Sequence, residues 1–211
     1  MDNSIIIALT KGRPLGESLG LLGKIGIAPL EDISSSRKLV FETNVENTKL
    51  MVLRSVDVAT YVEHGIADIG MSGRDVLLEQ GEEGYYQPLD LKIGGCRLMV
   101  AALEDESPPP ARLKVATKFV NIAKRYYAEK GVQVDIIKLY GAMELAPVMG
   151  LAHRIVDIVE TGNTLKANGL VAIEHIADVS MRLIVNKTSM KMKHCQVQGI
   201  IDRLTEVVRT L

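Results

Sequence analysis

Two acids and two threonines near position 160 have the types and spacing of a ribose-phosphate site. Asp157 lies inside an apolar, β-branched run, Glu160 ends it, and a Thr-Gly-Asn-Thr turn follows. Such a run suits a buried parallel strand, and Gly162 permits a sharp turn after it. The backbone N–H groups of that turn, together with the hydroxyls of Thr161 and Thr164, can bind phosphate at the start of a helix. The two acids can accept hydrogen bonds from ribose hydroxyls.

The alternative is an ordinary strand-to-helix turn with a threonine cap. The longer segment 144–165, however, resembles the signature of the ATP phosphoribosyltransferase family, which opens histidine biosynthesis. The resemblance is carried by Glu144, Gly150, Ala152, Ile155, Asp157, Thr161, Gly162, Thr164 and Leu165. It implies that phosphoribosyl pyrophosphate is bound by Asp157, Glu160, Thr161, Gly162, Asn163 and Thr164.

Strand-length apolar runs alternate with segments of helical period, which predicts an α/β fold with a mostly parallel sheet. Strands are expected at 5–9, 49–53, 67–71, 97–103, 113–116, 134–139 and 155–159. Helices are expected after Pro14, at 58–64, from residue 75, at 119–130, after the Thr-Gly-Asn-Thr turn and at 198–210. An acidic, triple-proline stretch, 104–110, can continue neither element type and is expected to be a solvent-exposed loop.

The chain is long enough for two small α/β lobes, and a cleft between lobes is a common ligand site. The family resemblance implies a two-lobed fold like the type II periplasmic binding proteins, in which the chain crosses to the second lobe and returns. We therefore expect lobe I at 1–95 plus 186–211, and lobe II, carrying the phosphoribosyl-pyrophosphate loop, at 96–185.

A second cluster of candidates is cationic. Lys11, Gly12 and Arg13 follow the first strand, where loops gather at the carboxyl ends of strands. Alone, they could be a solvated basic turn. The family resemblance extends to this triplet and to Ser36-Arg37-Lys38, and it implies catalytic roles for Arg13 and Arg37 and phosphate binding by Lys11 and Gly12.

The segment 67–75 also resembles the family, in which it helps to line the nucleotide cleft. It contributes Gly73 and Asp75 as candidates for ATP or phosphate binding, although Asp75 could simply cap a helix. Arg54 is a further candidate in this group, and Cys96 and Arg97 are weaker ones.

Bulk properties narrow the class of function. The 211 residues are 47% hydrophobic with a net charge of -1, so no global field attracts nucleic acid or an anionic membrane. Cys96 and Cys195 lack CxxC spacing, which favours free thiols in a cytoplasmic protein. The N-terminus resembles neither a signal peptide nor a spanning helix, and the four histidines show no metal spacing.

The resemblance implies a pentosyltransferase that joins ATP and 5-phosphoribosyl 1-pyrophosphate and releases pyrophosphate. Mg²⁺ is expected as cofactor, held through substrate phosphates rather than by protein ligands. The family has a long form with an additional regulatory domain that binds histidine. The resemblance here is to the short form, which assembles with a regulatory subunit resembling histidyl-tRNA synthetase as a hetero-octamer. Self-association of the chain is also expected.

Two other classes compete with this interpretation. A non-catalytic solute-binding module of the same fold would close on one ligand without chemistry, and it would be exported. The effector domain of a transcription regulator would require a DNA-binding helix-turn-helix. The absence of a signal peptide and the Glu160–Thr164 loop favour the enzyme.

Overall fold

The computed structural model describes residues 4–81, 83–105 and 112–210. Strands β1 to β11 are Ile5–Thr10, Val40–Glu42, Thr48–Leu53, Ile69–Gly73, Tyr85–Asp90, Cys96–Leu103, Leu113–Thr117, Val134–Lys138, Arg154–Val159, Leu170–Val179 and Met181–Asn186. Helices α1 to α8 are Arg13–Lys24, Ser55–Glu63, Arg74–Gln80, Val120–Glu129, Leu145–Val148, Asn163–Ala167, Lys187–Met192 and His194–Arg209. The predicted α/β class is confirmed.

The seven predicted strands are present, each displaced by about two residues or less at its ends. The helix predicted at 58–64 begins earlier, at Ser55, and the last helix begins at His194 rather than at 198. Most of the predicted triple-proline loop, 106–110, lies outside the described residues.

The chain divides into two compact units. Unit 1 comprises Met1–Leu77, Gly81–Gly94 and Ser180–Leu211, and unit 2 comprises Leu78–Gln80 and Gly95–Val179. The chain therefore re-enters unit 1 at Ser180 rather than at the predicted residue 186. The physical reason is β11, which pairs antiparallel with both β4 and β5 of unit 1.

Unit 1 contains a six-stranded sheet in the order β2-β3-β1-β4-β11-β5. The central strand β1 is parallel to both of its neighbours, β3 and β4. The chain leaves β1 and reaches β3, on one side, by way of α1 and β2, and the connection from β3 then leads to β4 on the other side. The carboxyl ends of β1 and β4 therefore form a topological switch point, where open α/β sheets bind ligands.

A buried acid ties the C-terminal helices of unit 1 to this sheet. Asp68 is only 4% exposed. Its carboxylate accepts hydrogen bonds from the backbone N–H of Ile6 at 2.9 Å, the hydroxyl of Ser189 at 2.6 Å and the ammonium of Lys193 at 2.8 Å. Because three donors satisfy it, the charge can remain buried at the amino end of the sheet.

Unit 2 contains a five-stranded sheet in the order β10-β6-β9-β7-β8. Strands β7, β8 and β9 are parallel, whereas β6 is antiparallel to both β9 and β10. Alternate residues of β9 enter two different apolar cores. Val156 packs with β6, β7 and α4, while Ile155 and Val159 pack with α5 and α6.

A polar cluster fixes α4 against the bulged strand β10. The carboxylate of Glu174 accepts hydrogen bonds from Lys130, from the Tyr126 hydroxyl at 2.5 Å and from Arg154 at 3.3 Å. Burial acts to raise the pKa of Glu174, but the hydrogen bonds from Lys130 and Tyr126 outweigh it and hold that pKa below its usual value. Burial raises the pKa of neighbouring Tyr127 to about 12. These groups are structural, since they connect α4, β9 and β10.

Candidate active site

In unit 1, the carboxyl ends of strands β1, β3 and β4 lie side by side at one end of the sheet. The register places Thr10 opposite Leu53, and Leu9 opposite Met71. The backbone N–H of Lys11 donates to the Leu53 carbonyl at 2.7 Å, and the Thr10 hydroxyl donates to the Met71 carbonyl at 2.9 Å. The candidates that end or follow these strands therefore lie at the same end of the sheet: Lys11, Gly12, Arg13, Arg54, Gly73 and Asp75.

The loop after β1 presents its cations to solvent. Lys11, Gly12 and Arg13 are all exposed, and Gly12 adopts φ 105° immediately before α1. Pro14 then sets the first turn of the helix, as the sequence predicted. Cations at a helix N-terminus oppose the helix dipole, so they add nothing to helix stability and are suited to binding an anion.

Gly73, at the end of β4, lies in close contact with a neighbouring side chain. A Cβ atom there would lie 2.3 Å from Oδ1 of Asp75, because the Asp75 carboxylate folds back over the start of α3. Asp75 is 9% exposed and lies in the first turn of the helix. The N-cap position itself belongs to Gly73.

Arg54 and Arg37 occupy different settings. Arg54 is the exposed N-cap residue of α2, directly after β3. Arg37 is exposed in the segment between α1 and β2, and its guanidinium forms no hydrogen bond or ion pair with another described residue. Arg54 therefore lies directly at the carboxyl end of β3, whereas no hydrogen bond or ion pair joins Arg37 to the strand ends within the described part of the chain.

In unit 2, the predicted ribose-phosphate loop leaves the carboxyl end of β9. Gly162 adopts a left-handed conformation, φ 80° and ψ 0°, and α6 begins at Asn163. The Thr161 hydroxyl accepts a long hydrogen bond from the Asn163 N–H at 3.4 Å. Glu160, Thr161, Asn163 and Thr164 are exposed. Buried Leu165 anchors the loop, so its polar groups face outward on a fixed base.

Asp157 lies on β9 with its side chain 23% exposed. Its carboxylate is 3.8 Å from the ammonium of Lys118, which directly follows the neighbouring parallel strand β7. On the other side of β9, Arg97 of β6 is exposed and pairs with Val159. Two cations thus flank the exit of β9. Arg97 was only a weak candidate from sequence, and Lys118 was not predicted.

The helix that follows Lys118 already has an anion at its N-terminus. The carboxylate of Glu79 accepts hydrogen bonds from the backbone N–H groups of Asn121 and Ile122, at 2.9 to 3.0 Å. This carboxylate satisfies donors that a phosphate would otherwise need. The first turn of α4 is therefore closed to a substrate anion.

Comparison with known proteins identifies the family of the chain. The family model described as ATP phosphoribosyltransferase matches residues 54–206. The chain belongs to this family. ATP phosphoribosyltransferase from Saccharophagus degradans is 62% identical over 98% of this chain and 97% of its own length, and that from Hahella chejuensis is 61% identical over 99% of both.

Solved structures agree with the family assignment. The ATP phosphoribosyl transferase (HisG:HisZ) complex from Thermotoga maritima contains a chain with a TM-score of 0.85 and 35% identity, covering 98% of this chain and 100% of that one. The periplasmic aliphatic sulphonate binding protein SsuA from Escherichia coli has a TM-score of 0.62 at 14% identity, covering 98% of this chain and 68% of its own, and it bears on the fold alone. The predicted type II periplasmic-binding-protein-like fold is confirmed.

The ATP phosphoribosyltransferase family match includes the β9 loop but begins at Arg54, after Arg13 and Arg37. The alignments with the two relatives cover 206 and 208 residues, 98 and 99% of the chain, and so include both arginines. Within the described residues, no group of three or more His, Cys, Asp or Glu side chains could hold a metal ion. No helix in the described ranges is long and apolar enough to cross a membrane.

Proposed function

We propose that this chain is an ATP phosphoribosyltransferase. It transfers the phosphoribosyl group of 5-phosphoribosyl 1-pyrophosphate to N1 of the adenine of ATP and releases pyrophosphate. The observation that carries the proposal is the 62% identity with a relative of that name over nearly the whole of both chains. The polar loop at the carboxyl end of β9 and the cationic loop at the carboxyl end of β1 support it.

Phosphoribosyl pyrophosphate binds at the exit of β9. The exposed hydroxyls of Thr161 and Thr164 and the backbone N–H groups at Gly162 and Asn163 are suited to the 5-phosphate. Asp157 and Glu160 accept hydrogen bonds from the ribose hydroxyls. The left-handed conformation of Gly162 gives the turn that brings these groups together.

Arg13 and Arg37 stabilise the charge that develops on the leaving pyrophosphate. The bond between C1 of the ribose and the pyrophosphate oxygen breaks as N1 of adenine attacks C1, so negative charge grows on the pyrophosphate. A cation positioned at that charge can be worth on the order of 10² to 10³ in rate, by analogy with oxyanion donors. Lys11 and Gly12, at the same sheet edge as Arg13, bind phosphate oxygens.

ATP is bound as a substrate by dispersed groups, since the sequence contains no Walker A motif. Arg54, Gly73 and Asp75 lie at the carboxyl ends of β3 and β4, beside the cationic loop. The Asp75 carboxylate lies close to Gly73. Together these groups provide one cation, one acid and a closely approachable backbone for a nucleotide.

Mg²⁺ enters with the substrates. It is held through the phosphate oxygens of the substrates rather than by protein ligands. When bound, the ion offsets the mutual repulsion of two anionic substrates and the charge of the pyrophosphate. This role requires no dedicated protein cage.

The enzyme acts in the cytoplasm with a regulatory subunit. The Thermotoga maritima chain that this chain covers in full comes from a HisG:HisZ complex. We therefore expect a partner of the HisZ kind, resembling histidyl-tRNA synthetase as the family resemblance implies, in a hetero-octamer with self-associated catalytic chains. Histidine then regulates the assembly.

The function is tested by incubating the purified chain with ATP, phosphoribosyl pyrophosphate and Mg²⁺ and following the ultraviolet absorbance of the product. We expect a rise in absorbance that requires both substrates and is abolished by chelating the metal. Binding of one substrate with no turnover of the pair, with or without the partner subunit, would instead favour a solute-binding module.

A further inference from the structure

Lys118 lies beside one of the residues of the predicted β9 site, Asp157. It follows β7, the parallel neighbour of β9. The preceding residue, Thr117, is completely buried, and its hydroxyl donates to the Val156 carbonyl at 2.6 Å while accepting from the Phe119 N–H at 2.9 Å. The backbone on both sides of Lys118 is therefore fixed to β9.

The ammonium of Lys118 has two neighbours but retains hydrogen-bond donors that neither of them satisfies. It lies 3.8 Å from Oδ1 of Asp157 and 4.7 Å from the centroid of the Phe119 ring. A separation of 3.8 Å exceeds the roughly 2.7 to 3.2 Å of a hydrogen bond, so the pair is electrostatic. Because an ammonium has three donors and this side chain is 42% exposed, it retains donors for an anionic oxygen.

The surroundings favour Lys118 as the place where a substrate anion meets this strand exit. The adjacent N-terminus of α4 is occupied by the Glu79 carboxylate. Asp157 and Glu160 would repel an approaching phosphate or pyrophosphate, and a cation beside them is needed to offset that repulsion. Lys118 stands next to Asp157, whose proposed role is to bind ribose hydroxyls.

We propose that Lys118 is a substrate-binding residue of the phosphoribosyl transfer. Its ammonium contacts an anionic oxygen of phosphoribosyl pyrophosphate, and through its charge it holds the Asp157 carboxylate toward the ribose. The inference rests on the proposed function, because it names a further residue for the same sugar substrate.

The test compares Lys118→Met and Lys118→Gln with the charge-retaining Lys118→Arg. We expect the two neutral variants to raise KM for phosphoribosyl pyrophosphate roughly tenfold or more, which is the loss of one hydrogen bond to a charged group, while KM for ATP stays within about twofold. Lys118→Arg should recover part of the affinity. A purely structural lysine would not separate the two KM values.

Lys114→Met is the matched control, since Lys114 is exposed at the other end of the same strand. It should leave both KM values unchanged. Suppose that the wild-type chain is active and that both neutral Lys118 variants keep an unaltered KM for the sugar substrate. The role of Lys118 would then be overturned, while the proposed function would stand. An inactive wild-type chain, with and without the partner subunit, would overturn the proposed function and this inference with it.

Discussion

The hydroxyls of Thr161 and Thr164 are exposed on a loop whose base is anchored by buried Leu165. Thr161→Val and Thr164→Val should each weaken binding of phosphoribosyl pyrophosphate, because a phosphate oxygen loses a donor worth about 1.5 to 3 kcal/mol. KM for the sugar substrate should rise roughly 10- to 100-fold, and KM for ATP should change less.

Thr210→Val offers a control for the loss of a hydroxyl, because Thr210 is exposed at the end of α8 and bonds only locally, to the Val207 carbonyl. It should behave as wild type in steady-state kinetics. An unaltered KM for phosphoribosyl pyrophosphate in both loop variants would remove the loop from the site.

Arg13 and Arg37 should affect the chemical step more than substrate affinity. Each meets a charge that is largest in the transition state, so Arg13→Ala and Arg37→Ala should lower kcat by about 10²-fold or more and raise either KM less. Stability should barely change, since both side chains are exposed. Kinetics and thermal unfolding measured on the same samples separate the two effects.

Arg209→Ala, at the exposed end of α8, is the control for removing a surface arginine. If Arg13→Ala or Arg37→Ala loses only affinity while kcat is intact, that arginine binds substrate uniformly, and its catalytic assignment is wrong.

At the scale of elements, the start of α4 depends on a carboxylate from outside the helix. Glu79 accepts from two N–H groups of the first turn, as a capping side chain does. Glu79→Ala should reduce the free energy of unfolding by about 1 to 2 kcal/mol, and Glu79→Gln by less. Urea denaturation gives both values. Glu206→Ala, at an exposed position of α8, should cost less, and equal losses in the two alanine variants would contradict a capping role.

Elements buried in the parallel parts of the sheets were predictable because their apolar runs are continuous. The runs of β1 and β9 show this most clearly. Strand β10 was not predicted, because it is largely exposed and interrupted by two register shifts. Strand β5, at a sheet edge, contains Pro88, which argues against a strand in sequence. The return of the chain at β11 depends on pairing with β4 and β5, which no local pattern reveals.

The candidate site, too, was predictable only where its residues are contiguous in the sequence. The Glu160–Thr164 loop is such a segment, so its spacing and its family resemblance could be recognised. Lys118 was missed because it meets Asp157 only through the pairing of β7 with β9. A lysine at the end of a buried strand was the available signal, and the sequence provides no means of ranking Lys118 above Lys138, the last residue of β8.

At the scale of the whole molecule, we expect the purified chain to be active but insensitive to histidine. Its relatives are covered over 97 to 99% of their own length, and the Thermotoga maritima chain of the HisG:HisZ complex is covered in full. Histidine can regulate only by binding two states with different affinity, which requires a second site and an interface that transmits the bias. Sensitivity should therefore appear when the regulatory subunit is added.

The experiment is a histidine titration of activity at fixed substrate concentrations, with and without the synthetase-like subunit. Strong inhibition of the chain alone at micromolar histidine would reveal an effector site within the chain, and the proposed division of roles would be wrong.

The central claim is that the chain forms a bond between C1 of the ribose and N1 of the adenine of ATP. The most direct test is to identify the product of the purified enzyme by mass spectrometry and NMR, and to measure pyrophosphate in the same reaction. We predict one ribosyl-phosphate adduct at N1 of ATP for each pyrophosphate released, with the triphosphate intact. Pyrophosphate release without an ATP adduct, or an adduct at any other atom, would contradict the account.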